Sequence, residues 1–90
     1  MPAEVVQSLQ QVSQEQLDNF CAGVAELTKT ERAVYQAYLD GKSTKEVMAE
    51  LNIKENTLKF HNKNLYGKLH VSSRKQLVRY AALLQKEDPT

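Results

Sequence analysis

Ninety residues allow one domain with a modest core, because a chain this small buries a low fraction of its surface. Apolar and charged shares of 41% and 26% are those of ordinary globular proteins, and no apolar run approaches the ~20 residues of a membrane helix. The net charge of +1 conceals an asymmetry: residues 1–27 hold Glu4, Glu15, Asp18 and Glu26 and no cation, while all 12 Lys and Arg lie beyond them. An acidic start followed by a basic body is a weak sign of a nucleic-acid-binding surface.

The start MPAEVVQSLQ lacks the basic and apolar stretches of a secretory leader, so none is expected. Cys21 is the only cysteine, which excludes an internal disulfide. It stands at helical spacing with Leu17 and Val24 and is expected to be a small core residue. A reducing, cytoplasmic setting fits.

The chain reads as all-α, with little period-2 alternation and only three Gly and two Pro. Residues 1–12 are Gln-rich and are expected to be frayed or loosely helical. Leu17, Phe20, Cys21, Val24 and Leu27 then form one apolar stripe, which predicts a helix near 14–26. Ser13 and Gln16 offer a capping box at its start. Thr28 and Glu31 make a second box, opening a helix near 29–40, and Gly41 supplies the left-handed residue that ends it. Ser43 and Glu46 make a third, opening a short helix near 44–51, followed by Asn52, which tolerates a left-handed turn. A longer helix spans 55–69. Val71-Ser72-Ser73 breaks it, and Ser73 with Gln76 caps a last helix near 73–86. Residues 87–90 form a tail.

A short helix, a brief turn and a long helix make a helix-turn-helix candidate. Many helical proteins contain such pairs without touching DNA, so the surface of the long helix has to decide. Leu58, Leu65 and Leu69 fall on its core side. Asn56, Lys59, Phe60, Lys63 and Gly67 fall opposite, with Glu55 at the N-terminal edge. Lysine can donate to guanine O6 and N7, asparagine can bond the adenine edge, and an apolar side chain can meet a thymine methyl. Two lysines alone would be read as a solvated face. A phenyl ring opposite the core side needs a groove, a partner or further packing. The helix would span roughly 22 Å, enough to lie in the major groove and remain anchored. Ser43, Thr44 and Lys45 at the start of the short helix, Lys54 in the turn, and Thr57 are candidates for phosphate contact. Capping by Ser43 and Thr44 is compatible with that role.

These residues resemble the LuxR-type DNA-binding domain (LuxR/GerE, also NarL/FixJ). LTKTERAVYQAYLDGKSTKEV carries Leu27-Thr28, Glu31-Arg32, Val34, Gly41 and Lys45-Glu46-Val47, followed by Leu51 and Ile53. TLKFHNKNLYGKLHV carries Thr57, Lys59, His61, Asn64, Lys68, Leu69 and Val71, and Arg74 starts the final helix. The similarity covers residues 27 to about 81, at many spaced positions.

The resemblance implies a four-helix domain at 27–86, preceded by an acidic segment or linker helix at 1–26. Its third helix would lie in the major groove, with Lys59, Phe60 and Lys63 base-facing and Asn56 beside them. Thr44, Lys45, Thr57, His61 and Asn64 would meet the DNA backbone or brace the fold, and a structural hydrogen bond is at least as expected for His61 as a phosphate contact. The resemblance also implies dimerisation through the last helix, where Lys75, Val78, Arg79 and Ala82 share a face. Leu77, Tyr80, Ala81 and Leu84 would close the core. Three residues depart from the family pattern. Lys54 stands where Ser or Thr usually caps, Gly67 interrupts the long helix and would permit a bend or close approach, and Phe60 is large where smaller residues are common.

The expected partners are double-stranded DNA, a second copy of the chain on a two-half-site operator, and RNA polymerase, with no membrane contact. Family members usually carry a regulatory domain, such as the receiver of a response regulator; residues 1–26 cannot form one. The chain is then either the C-terminal piece of a larger regulator or a stand-alone protein. No enzyme, metal or cofactor is expected. His61 and His70 lack spaced carboxylates or thiols to complete a metal site, and no Gly-rich phosphate loop exists. The alternative is a helical protein-interaction module using the same basic, Phe60-bearing face for an acidic partner. A sigma-factor-like region 4 domain is disfavoured by the KLHVSSR continuation.

Overall fold

Five helices and their short connections account for the computed structural model, which describes residues 13–86. The expected loose segment 1–12 and the tail 87–90 lie outside the described residues. Helix α1 runs Gln14–Ala25, α2 Lys29–Leu39, α3 Thr44–Leu51, α4 Glu55–Leu69 and α5 Arg74–Lys86. No strand occurs among the described residues.

Local chemistry sets most helix starts. The Gln16 N–H donates to Ser13 Oγ at 3.1 Å while Gln16 Oε1 accepts from the Ser13 N–H at 3.0 Å. Thr28 with Glu31 and Ser43 with Glu46 repeat this reciprocal pairing at α2 and α3. Each box satisfies donors that a helix start otherwise leaves unpaired. Ser73 Oγ accepts from the Gln76 N–H at 3.2 Å, but Gln76 Oε1 reaches the Ser72 N–H instead of that of Ser73. Helix α4 is the exception: Lys54 precedes it and provides no side-chain cap.

The helix ends follow from backbone handedness. Gly41 takes φ 81°, so that the Lys42 N–H reaches the Ala37 carbonyl and the Gly41 N–H that of Tyr38, both at 3.1 Å. This paired closure stops α2 at Leu39 and turns the chain. Asn52 at φ 54° and His70 at φ 57° close α3 and α4 in the same way, through Ile53 to Met48 and Val71 to Tyr66.

Helix α4 packs against α1 and α2, α5 closes over the same two helices, and α3 rests on α2. Phe20, Val34, Val47, Leu58, Leu65, Leu69 and Leu77 are fully enclosed. The Phe20 ring lies 5.6 Å from that of Tyr80, edge-on, and 6.2 Å from that of Tyr35. Leu77, Tyr80 and Ala81 are buried and Leu84 is partly so, as the last helix requires to close the core.

Helix α1 is rotated relative to the expected stripe. Its buried residues are Leu17, Phe20 and Gly23, whereas Cys21 is exposed and Val24 only half-buried. Gly23 is the cause. A methyl group on it would stand 2.1 Å from the Lys68 carbonyl oxygen, so only a residue without a side chain lets α1 and the end of α4 come this close. The buried arc centres on Phe20, and Cys21, about 100° further round, turns to solvent.

Candidate nucleic-acid interface

The inner side of α4 is anchored by Leu58, Leu65 and Leu69, each at most 1% exposed. Burial of three leucines fixes the outward side, because helical geometry leaves no freedom to roll once one face is committed. On that outward side Asn56, Lys59, Phe60, Lys63 and Gly67 are all exposed. Phe60 is 62% exposed, the largest uncovered apolar side chain among the described residues. Its ring meets the His61 ring edge-on, with centroids 5.7 Å apart.

Three contacts brace the rotation of α4. The first is Gly23 against the Lys68 backbone. The second is the Lys68 ammonium, 2.6 Å from Glu31 Oε1 and 3.4 Å from the Glu26 carbonyl. Glu31 is only 4% exposed and also accepts from the Thr28 N–H at 3.0 Å. Burial pushes its pKa up, but the hydrogen bond from Lys68, that from Thr28 and the charge of Lys68 outweigh it and hold the carboxyl below its ordinary value. The third is a polar chain on the other flank. The Tyr38 hydroxyl donates to Asn62 Oδ1 at 2.6 Å. The Arg74 guanidinium lies 4.5 Å from the centre of the Tyr38 ring and donates to the Lys42 carbonyl. Burial raises the Tyr38 pKa against the opposing pull of Asn62 and Arg74, which keeps the hydroxyl a donor.

The face also carries an ion pair between residues four apart. Glu55, at the N-terminal edge of the face, places its carboxylate 3.3 Å from Lys59 Nζ. Lys63 makes no ion pair among the described residues. Around this face, Thr44 and Lys45 are exposed in the first turn of α3, and Lys54 and Thr57 are exposed at the start of α4. His61 and Asn64 are half-buried at its margins. His61 makes no side-chain hydrogen bond among the described residues, and its ring meets that of Phe60. Gly67 has open space where a side chain would stand and admits no close neighbour, and α4 is continuous across it from Glu55 to Leu69.

On α5, Lys75, Val78, Arg79 and Ala82 are exposed together, with Val78 at 36%. The bracing residues Gly23, Tyr38, Asn62 and the Glu31–Lys68 pair escaped the reading from spacing. Glu31 carried half a signal as a capping residue. Lys68, thirty-seven positions away, carried none beyond its place in the family pattern.

The family model for bacterial regulatory proteins of the luxR family (GerE) matches residues 25–81. Spore germination protein GerE of Bacillus subtilis is 44% identical over 52 residues, covering 58% of this chain and 70% of that protein. The transcriptional regulatory protein YhcZ of the same organism is 43% identical over 56 residues, 62% of this chain and 26% of its own length. Regulatory protein SdiA of Escherichia coli is 34% identical over 55 residues, 61% of this chain and 23% of its own length. The chain thus spans about a quarter of the longer relatives. No solved structure matches at the same stringency. With more than half of its residues inside the family model and the helices to match, the chain belongs to the luxR family of bacterial regulatory proteins.

Proposed function

We propose that this chain is the DNA-binding part of a bacterial transcription regulator and that α4 reads duplex DNA from the major groove. The observation that carries this reading is Phe60. A phenyl ring 62% exposed, flanked by Lys59 and Lys63 on a helix whose other side is locked in the core, matches a groove floor that offers both acceptors and methyl groups. Lys59 and Lys63 donate to guanine O6 and N7, Asn56 bonds an adenine edge, and Phe60 packs on a thymine methyl. Thr44, Lys45, Lys54, Thr57, His61 and Asn64 hold the backbone and set the register. Membership of the luxR family and similarity to transcriptional regulators such as YhcZ support the same reading.

Two copies pair through Lys75, Val78, Arg79 and Ala82 on adjacent half-sites, which would place two α4 helices about one helical turn of DNA apart. The protein works in the cytoplasm, where a bacterial chromosome lies. A regulatory domain on the same polypeptide, or RNA polymerase as a partner, fits a family whose longer relatives extend well past this domain.

The test is a fluorescence titration of labelled duplex across a salt series. Binding should weaken steeply with salt, each neutralised phosphate adding about −0.9 to the log–log slope. Lys59→Ala and Lys63→Ala should weaken binding, whereas Lys29→Ala, on α2, should matter little. Variants that bind like the parent would remove α4 from the interface, and the exposed Phe60 face would then belong to a protein partner.

A further inference from the structure

The Glu55–Lys59 pair stands where only attraction to DNA is expected. Glu55 Oε1 lies 3.3 Å from Lys59 Nζ, one turn apart, with side chains 67% and 70% exposed. Acid preceding base by four residues is the favoured order on a helix. The first turn of α4 also favours a carboxylate, since the positive end of the helix lies there and Lys54 supplies no cap to compete. Both effects keep Glu55 in place and pointed at Lys59. Lys63, one turn further on, has no acidic partner among the described residues. The two lysines of the face are therefore inequivalent.

We infer that Glu55 is a specificity-determining residue, one that withholds Lys59 from phosphates and couples it to a single G·C base pair. The inference rests on the reading of α4 as the groove helix. A phosphate competes with Glu55 for the Lys59 ammonium, and drawing that lysine to the backbone brings the Glu55 carboxylate beside a polyanion or leaves it unpaired there. On non-specific duplex, Lys59 therefore contributes little. A G·C pair is different, because it presents acceptors at guanine O6 and N7 and a donor at cytosine N4 in the major groove. Lys59 can bond the guanine while Glu55, which only accepts, takes the cytosine amino group. Both members of the pair are satisfied by one base pair, whereas the backbone offers a partner to the lysine alone.

The experiment uses a duplex enriched from random DNA and a scrambled duplex, each titrated over a salt series. Glu55→Gln should bind the scrambled duplex roughly twofold more tightly, the scale of one exposed ion pair between residues four apart on a helix. Its salt slope should steepen by about 0.9, as one more cation engages phosphate. It should also lose preference at one base pair of the enriched site, the same pair at which Lys59→Ala loses preference. In the Lys59→Ala background, Glu55→Gln should leave the slope unchanged. Asp18→Asn, which removes one negative charge from an exposed position on α1, controls for net charge and should not steepen the slope. No steepening by Glu55→Gln would overturn the inference. So would equal steepening in both backgrounds, the same effect from Asp18→Asn, or loss of preference at different base pairs. Failure of the parent to enrich any motif would instead overturn the reading of α4 itself.

Discussion

Single residues decide where α4 points, and three of them yield measurable consequences. Glu31 has a folded pKa below its ordinary value, so it adds stability above the usual carboxylate range and loses it as pH falls through the folded value. Lys68→Ala removes its partner while Lys68 is still one-third exposed; the loss should be about 1–3 kcal/mol at neutral pH, below that of a fully buried pair. Denaturant melts across pH should show the difference between parent and variant shrinking in acid, once Glu31 is protonated in both. The two helical glycines should respond in opposite directions. Gly67 faces open space, so Gly67→Ala should stabilise by about 1 kcal/mol through helix propensity alone. Gly23→Ala puts a methyl 2.1 Å from a backbone oxygen, forces α1 away from α4, and should cost about 1–3 kcal/mol. Periodicity cannot distinguish these glycines, since the difference lies in what a distant segment places against each. It likewise assigned Cys21 to the core, because a stripe on one helix does not reveal how closely its neighbour approaches.

At the scale of elements, the legible features were those that neighbouring residues complete. The boxes at Ser13, Thr28 and Ser43, and the left-handed closures at Gly41 and Asn52, each involve residues within five positions. The outward face of α4 was legible for the same reason, since Leu58, Leu65 and Leu69 define its inner side by spacing. The contacts that brace this face, Tyr38 to Asn62 and Glu31 to Lys68, join residues 24 and 37 positions apart and leave no local pattern. The unfilled cap at Lys54 was legible as a departure from the family pattern, and it separates stability from binding. Lys54→Ser should raise stability by about 0.5–1 kcal/mol, since it adds an acceptor for a first-turn N–H. The same change should weaken DNA binding and lower the salt slope by about 0.9, as one phosphate contact is lost. Thermal melting and titration of one variant check both signs.

Across the whole molecule, α1 shares the core with the other four helices. Phe20 lies against Tyr35 and Tyr80 and is fully enclosed, so Phe20→Ala should cost about 3–5 kcal/mol in denaturant melts. The acidic α1 thus backs the basic outward face of α4, and the charge asymmetry along the chain becomes one between two sides of that helix. On α5, Val78→Glu tests pairing by sedimentation on an operator duplex. The account expects one protomer bound where the parent places two; two bound protomers would remove α5 from the interface. The central claim is that Lys59, Phe60 and Lys63 read base edges. Selection of bound sequences from random duplex DNA, by the parent and by Lys59→Ala and Lys63→Ala, tests it most directly. The account predicts an enriched motif for the parent that contains G·C pairs and loses preference at different positions in the two variants. No enriched motif, or the same motif from all three proteins, would contradict it.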